Sequence, residues 1–149
     1  MQPRDILFNI WSKLYPGISL QILENFLLRV DVNRTTVKPE SVQTDWYKDA
    51  VVYSLYADLF NNDFAGLTQK LDYLHDLGIN CIWLLPVLDS PMRDAGFDIS
   101  DYTKIRSELL DKSGKTKDQN IFRQFLAAAH EKGIKVIFDI SMNHTSDEH

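Results

Sequence analysis

The chain has 149 residues, 44% of them hydrophobic and 25% charged, the balance of one ordinary globular domain rather than a disordered or collagen-like chain. Sixteen Lys and Arg stand against 21 Asp and Glu, and no basic cluster offers a phosphate-binding face, which argues against nucleic acid as a partner. The longest apolar run, Cys81 to Leu88, is far short of the roughly 20 residues that span a bilayer, so no membrane partner is expected. Cys81 is the only cysteine, which excludes an intrachain disulfide, and no basic-then-apolar leader opens the chain. A cytoplasmic location is the resulting expectation.

In chain order, residues 4–30 read as a helical hairpin. Ile6, Leu7, Ile10, Trp11 and Leu14 recur at helical spacing, Pro16-Gly17 breaks the pattern, and Ser19 offers a cap for a second helix. Ile22, Leu23, Phe26, Leu27 and Val30 form that helix's apolar face. The hairpin is assigned residues 1–32 and reads as a packing appendage, and polar residues 33–45 read as a linker, with Trp46-Tyr47 docking its end on the next domain. The next domain is assigned residues 46–149, and from residue 50 the pattern becomes strand, helix, strand, helix, strand. Val51 to Tyr56 is rich in β-formers, Leu67, Leu71, Leu74 and Leu77 mark one helix face, and Gly78 ends it. Cys81 to Leu85 reads as a strand buried on both faces, and residues 87–118 as a long polar loop. Phe122, Phe125, Leu126 and Ala129 mark a second helix closed by Gly133, and Lys135 to Ile140 a third strand. Such alternation predicts an α/β fold with right-handed crossovers and a parallel sheet. Three parallel strands leave two bare edges, and a closed barrel needs about 200–250 residues, so the expectation is the first part of a larger fold.

Ligands of parallel β/α folds bind at the carboxyl ends of the strands. Three segments fall there. After strand one, Asn61, Asn62 and Asp63 are oxygen donors of the kind calcium takes, though a helix cap uses the same residues. After strand two, Asp89 to Tyr102 gathers four carboxylates, an Arg and two aromatic rings, a mixture suited to a sugar: carboxylates accept from hydroxyls, and a ring stacks on a pyranose face. An irregular loop held by local Asx turns explains the same composition. After strand three, alternation puts Asp139, Ser141 and Asn143 on one face, with His144 placed to donate to a ligand hydroxyl. His144, Asp147, Glu148 and His149 leave a metal site open as an alternative, although their spacing is not His-Glu-x-x-His.

These residues resemble a known family. Asp139-x-x-x-Asn143-His144 at a strand end resembles the first signature region of the α-amylase family of glycoside hydrolases (family 13), and Gly96-Phe97-Asp98-x-x-Asp101-Tyr102 its Gly-Tyr-Asp-x-x-Asp-Tyr loop. Trp46 to Tyr53 and Gly66 to Pro86 resemble the family's first strand, first helix and second strand, so the likeness covers residues 46–149. Asp58 to Leu67 and Asn143 to His149 are similar to the amylosucrase branch, and Trp46 to Tyr53 with Ile82 to Pro86 to the trehalose synthase and α-glucosidase branch. The resemblance implies an N-terminal part of a (β/α)8 barrel containing its first three strands.

It also implies residue roles. Asp98 and His144 take the places of residues that hydrogen-bond the glucosyl unit, Phe97 that of a stacking Tyr without its hydroxyl, and Asp94 that of a pocket-closing acid. Asp139 and Asn143 take the places of site-organising residues. Ser107 to Asn120 departs from the family pattern, and the loop after strand one is shorter than the calcium loop of many relatives, so no cofactor is expected. The family's nucleophile and acid/base follow strands four and five, which implies a parent enzyme that is a retaining α-glucoside hydrolase or glucosyltransferase, acting on sucrose, trehalose, maltose or an α-glucan, and a chain that is inactive alone. The alternatives are a non-catalytic sugar-binding or partner-binding module and a metal-dependent hydrolase using the C-terminal His, Asp and Glu group.

Overall fold

The computed structural model of the chain describes residues 3–36, 45–116 and 118–149, in two compact units that divide between residues 44 and 45. The first unit is the hairpin of α1 (Pro3–Leu14) and α2 (Leu20–Thr36). The turn between them carries Gly17 at φ 85°, and the Ser19 hydroxyl accepts the Gln21 amide at 3.2 Å. α2 runs to Thr36, past the hairpin end expected at residue 32, and the remainder of the expected linker, 37–44, lies outside the described residues.

The second unit begins with a 3-10 turn, Trp46–Asp49. Next come β1 (Val52–Leu55), α3 (Ala57–Asn61), α4 (Phe64–Gln69), α5 (Leu71–Asp76) and β2 (Cys81–Leu84). β3 (Leu88–Asp89), β4 (Asp101–Ile105), α6 (Ser107–Leu110), α7 (Asn120–Glu131) and β5 (Lys135–Phe138) complete it. β1, β2 and β5 form a parallel sheet in that order, with Ser54, Trp83 and Ile137 in register and Leu55, Leu84 and Phe138 one residue on. Mixed α/β architecture with a parallel sheet is therefore observed.

Strand alternation divides the sheet into two faces. Leu55, Ile82 and Leu84 lie on the face that joins Phe64, Leu67, Leu71, Leu74, Phe125 and Ala129 in one buried core. Phe64 stacks on Phe125 with ring centroids 5.4 Å apart, and Phe122 is 4.8 Å from Phe64. The opposite face is covered at Cys81, which is fully buried, and open along the rest: Val52 is 46% exposed, Trp83 42% and Ile137 38%. Burial of β2 on both faces is thus corrected at Trp83 alone, since Cys81 on the same face is buried along with Ile82 and Leu84 on the other.

Two further expectations need correction. The helix expected across Leu67 to Leu77 is two pieces, since Lys70 leaves the helical region (φ −97°, ψ 0°) and ends α4. Leu71 and Leu74 keep the expected buried face across the break, but α5 ends at Asp76, Leu77 is its exposed C-cap, and Ile79 joins the core instead. The long polar loop contains structure: β3 and β4 pair antiparallel, with an irregularity between Leu88 and Asp89, and α6 buries Leu109 and Leu110. Of the two residues expected to dock the linker, Trp46 does so, half-buried with the Lys135 ammonium 5.6 Å over its ring, while Tyr47 is exposed.

Candidate functional site

The loop between β3 and β4 is built around one carboxylate. Ser90 Oγ donates to Asp98 Oδ1 at 2.7 Å, and the Arg93 amide donates to Asp98 Oδ2 at 3.0 Å. Ser90 Oγ in turn accepts the Met92 amide at 2.9 Å. To wrap the carboxylate in so few residues, the backbone enters the left-handed region at Met92 (φ 60°), Ala95 (φ 52°) and Gly96 (φ 92°). Gly96 is also pressed against the strand end, where a Cβ would lie 2.9 Å from Pro86 Cβ. Asp98 is buried to 8% exposure. Burial opposes its charge, but the Ser90 hydroxyl and the surrounding amides outweigh it and hold its pKa below the ordinary carboxylate value.

The segment after β5 leaves the sheet ladder once the Asp139 amide has bonded to the Leu84 carbonyl at 2.9 Å. It is then stitched to the Asp98 loop. The Ser146 amide donates to the Ile99 carbonyl at 3.0 Å, and the His149 ring Nδ1 lies 2.8 Å from the Ser100 carbonyl oxygen. The Tyr102 hydroxyl reaches the Ser141 carbonyl at 2.6 Å and the His144 carbonyl at 3.2 Å. Arg93 Nη1 grips both oxygens of Asp147, at 2.7 and 2.9 Å, and its Nη2 bonds to Glu148.

Of the six residues expected at the site, Asp98 alone is buried and fully held. Phe97 is half-buried beside it, its amide bonded to the Asp94 carbonyl at 2.9 Å, and Asp94 itself is exposed. Asp139 is half-buried, and Asn143 and His144 are exposed, on the segment that the Tyr102 hydroxyl and the Ser146 amide pin to the same loop. Extended alternation stops at Phe138, so Ser141 is buried while Asn143 is exposed, and the shared face expected for Asp139, Ser141 and Asn143 does not extend that far.

Other polar groups are already engaged. Asp101 bonds to Lys104 at 2.5 Å and to the Thr103 amide and hydroxyl, which hold its carboxyl well below the usual range. Asp58 meets the buried Arg106 guanidinium at 3.3 Å. In the loop after β1, Asp63 caps α4 by accepting the Gly66 amide at 2.8 Å, and its second oxygen takes the Lys112 amide at 3.2 Å. The Lys112 ammonium sits 3.0 Å from Asn62 Oδ1, and Asn61 Nδ2 donates to the Gly66 carbonyl at 2.7 Å. At the C-terminal group, Asp147 and Glu148 serve Arg93, and among the described residues no cluster of three His, Cys, Asp or Glu has metal-site geometry. Sequence reasoning missed Arg93 and Ser90 as anchors. Ser90 lies eight residues from its partner and Arg93 more than fifty from its own, so no local period marks them.

Comparison with known proteins decides the family. Residues 31–149 match the α-amylase catalytic domain. The chain belongs to the α-amylase family. It is 44% identical to a trehalose synthase of Pimelobacter over 114 residues, which is 72% of this chain and 19% of that protein. It is 46% identical to an oligo-1,6-glucosidase of Heyndrickxia coagulans over 113 residues, 71% of this chain and 19% of that one. Among solved structures it is similar to the trehalose-6-phosphate hydrolase of Bacillus licheniformis, with a TM-score of 0.60, 39% identity, and coverage of 70% of this chain and 19% of the other. The chain spans about a fifth of the length of the family members it matches. Those neighbours place the parallel sheet as the N-terminal part of a TIM barrel.

Proposed function

We propose that this chain supplies one side of the glucosyl pocket of a retaining α-glucoside hydrolase or glucosyltransferase, trehalose synthase-like or amylosucrase-like, with sucrose, trehalose, maltose or an α-glucan as substrate class. The observation that carries the reading is Asp98: a carboxylate that is buried yet kept ionised, on a loop tied to the segment bearing His144. An ionised carboxylate with its amide and hydroxyl partners behind it presents strong acceptors to sugar hydroxyls at little cost in reorganisation. Asp98 and His144 bind the glucosyl hydroxyls, the Phe97 ring stacks on the sugar face, and Asp94 closes the rim. Asp139 and Asn143 organise the site from the end of β5.

Retention of configuration needs a nucleophile and an acid/base about 5–5.5 Å apart. Within the stitched loops Asp98 is held by Ser90 and Arg93, Asp101 by Lys104, and Asp147 and Glu148 by Arg93, and a carboxylate so occupied is a poor nucleophile or proton donor. The family resemblance puts the nucleophile and the acid/base after strands four and five, so in this reading the chain alone is inactive and bond cleavage belongs to a polypeptide that continues past β5. No calcium is required by the loop after β1, because Lys112 already delivers a positive charge to Asn62 and a backbone donor to Asp63.

The test is the reading frame beyond the codon for His149, followed by assays on its product. A frame that encodes further barrel strands, and a product that releases or transfers glucose from an α-glucoside, supports the reading. Glucoside binding by the 149-residue chain with no turnover from any longer product would favour the non-catalytic sugar-binding module instead. Activity unchanged by a chelator is the expected outcome of the calcium reading, and loss of activity restored by calcium overturns it.

A further inference from the structure

We infer that Arg93 is a positioning residue that holds the two walls of the proposed glucosyl pocket at their working separation. The inference rests on the proposed function, and it adds a residue to which neither the motif nor the pocket assignment gives a role. Arg93 bonds directly to the pocket carboxylate on one side and to the segment bearing His144 on the other. Its backbone amide donates to Asp98 Oδ2, and its guanidinium grips Asp147 and Glu148, just past His144. Asp98 belongs to the loop after β2 and His144 to the segment after β5, so each reaches the pocket from a different strand end.

Two of the other stitches between the segments fix the backbone and carry no charge. The Ser146 amide to the Ile99 carbonyl and the Tyr102 hydroxyl to the Ser141 and His144 carbonyls are neutral bonds. The Arg93 clamp is charge-assisted, and its two terminal nitrogens take different carboxylates, Nη1 the Asp147 oxygens and Nη2 Glu148, so the planar guanidinium fixes orientation as well as distance. It is also solvent-exposed, with 59% of the Arg93 side chain and 76% of that of Asp147 accessible. An exposed pair is modest in energy and sensitive to salt, which suits a device that sets position rather than global stability. The loop around it is held in the left-handed region at Met92 and Ala95, so a tether beside Met92 keeps a strained turn from relaxing.

Any substitution of Arg93 leaves its backbone amide on Asp98, so the effect reads the guanidinium alone. In the longer polypeptide, Arg93→Ala should raise KM for the α-glucoside by about three- to fivefold with kcat changed less than about twofold, the upper part of the range an exposed ion pair supports. Arg93→Lys should recover part of the loss, since an ammonium keeps the charge and loses the fork. Raising salt from about 0.1 M to about 1 M shortens screening from about 10 Å to about 3 Å, and should raise the wild-type KM while leaving Arg93→Ala nearly flat. The double variant Asp147→Asn, Glu148→Gln should not add to Arg93→Ala. Amide exchange at Ser146 reads the clamp without any turnover, and it should accelerate in Arg93→Ala. Unchanged exchange at Ser146 overturns the clamp. Faster exchange with unchanged KM, or equal salt dependence of KM in Arg93→Ala and wild type, overturns the positioning role. Faster exchange in a polypeptide that turns over no α-glucoside leaves the clamp standing and sinks the α-glucoside reading instead.

Discussion

The helix side of the sheet and the loops at its carboxyl end are held by different forces. Behind the sheet, Phe64, Leu67, Leu71, Leu84 and Phe125 are fully buried, and the attraction is the removal of apolar surface from water. At the strand ends, Asp98, Arg93, Tyr102, Ser146 and Asp147 are joined by hydrogen bonds and an ion-pair network. The first arrangement is indifferent to salt and to moderate changes of pH. The second responds to both, because its strength depends on charge and on the competing solvent. A pocket needs the second kind, since its walls must present polar groups in fixed directions, and it needs the first kind behind it to keep the strand ends in register.

The largest effects should come from breaking the helix side. Phe125→Ala removes a fully buried ring that packs on both Phe64 and Phe122, and a loss of about 3–5 kcal/mol is expected by denaturant unfolding. A comparable truncation on the open face, Trp83→Ala, should cost far less in this chain, because Trp83 is already 42% exposed. If the two losses were similar, the sheet would have no open face in solution. Next comes Gly66→Ala. A Cβ there would lie 1.8 Å from the Asn61 carbonyl oxygen, so α3 and α4 must move apart, at a cost of about 3 kcal/mol. A melting temperature equal to that of the parent chain would show that the junction is not so tight.

Much of the helix side was legible in the sequence, and little of the loop side was. The period of Phe122, Phe125, Leu126 and Ala129 and the glycines at 78 and 133 mark helices because burial on one face repeats every three to four residues. The same reasoning failed at Leu77, because α5 ends at Asp76 and the residue after it no longer follows the helical period. β3 escaped notice because a two-residue strand next to an irregularity has no period to show. Asp98 stands out in the sequence through its motif, but the groups that hold it do not. The Arg93 clamp and the Tyr102 bonds join residues some forty to fifty-five positions apart, and only the fold brings them together.

Acid separates the two regions without any mutation. Asp98 has a folded pKa below its unfolded value of roughly 3.9, so it contributes stability above that value, and the contribution is lost as pH falls through the folded pKa. Asp101 and Asp111 are lowered in the same direction, by Lys104 and by Ser113 respectively. The loops should therefore lose amide protection at Ser100 and Ser146 below about pH 4, while the amides of β2 and α7 stay protected. Simultaneous loss in both regions would mean that the loops and the core unfold as one unit. Asp98→Asn should reproduce the loop's loosening at neutral pH, because the amide has one oxygen to offer where Ser90 and Arg93 each bond to a separate one.

The smallest expected effect has the opposite sign. Ala95 sits at φ 52°, where an L side chain costs about 1–2 kcal/mol, and its only described hydrogen bond to a side chain runs from Tyr56 to its carbonyl at 3.4 Å. Ala95→Gly removes that strain, but it also frees the unfolded chain, which offsets about 0.4–1 kcal/mol. A net gain of about 0.8 kcal/mol is expected, the difference of the two midpoints, seen as a slight rise in the unfolding midpoint. The loop holds Asp98 at the expense of strain at this position, so a loss of stability in Ala95→Gly would show that the left-handed turn is supported by its surroundings rather than forced by the carboxylate it wraps.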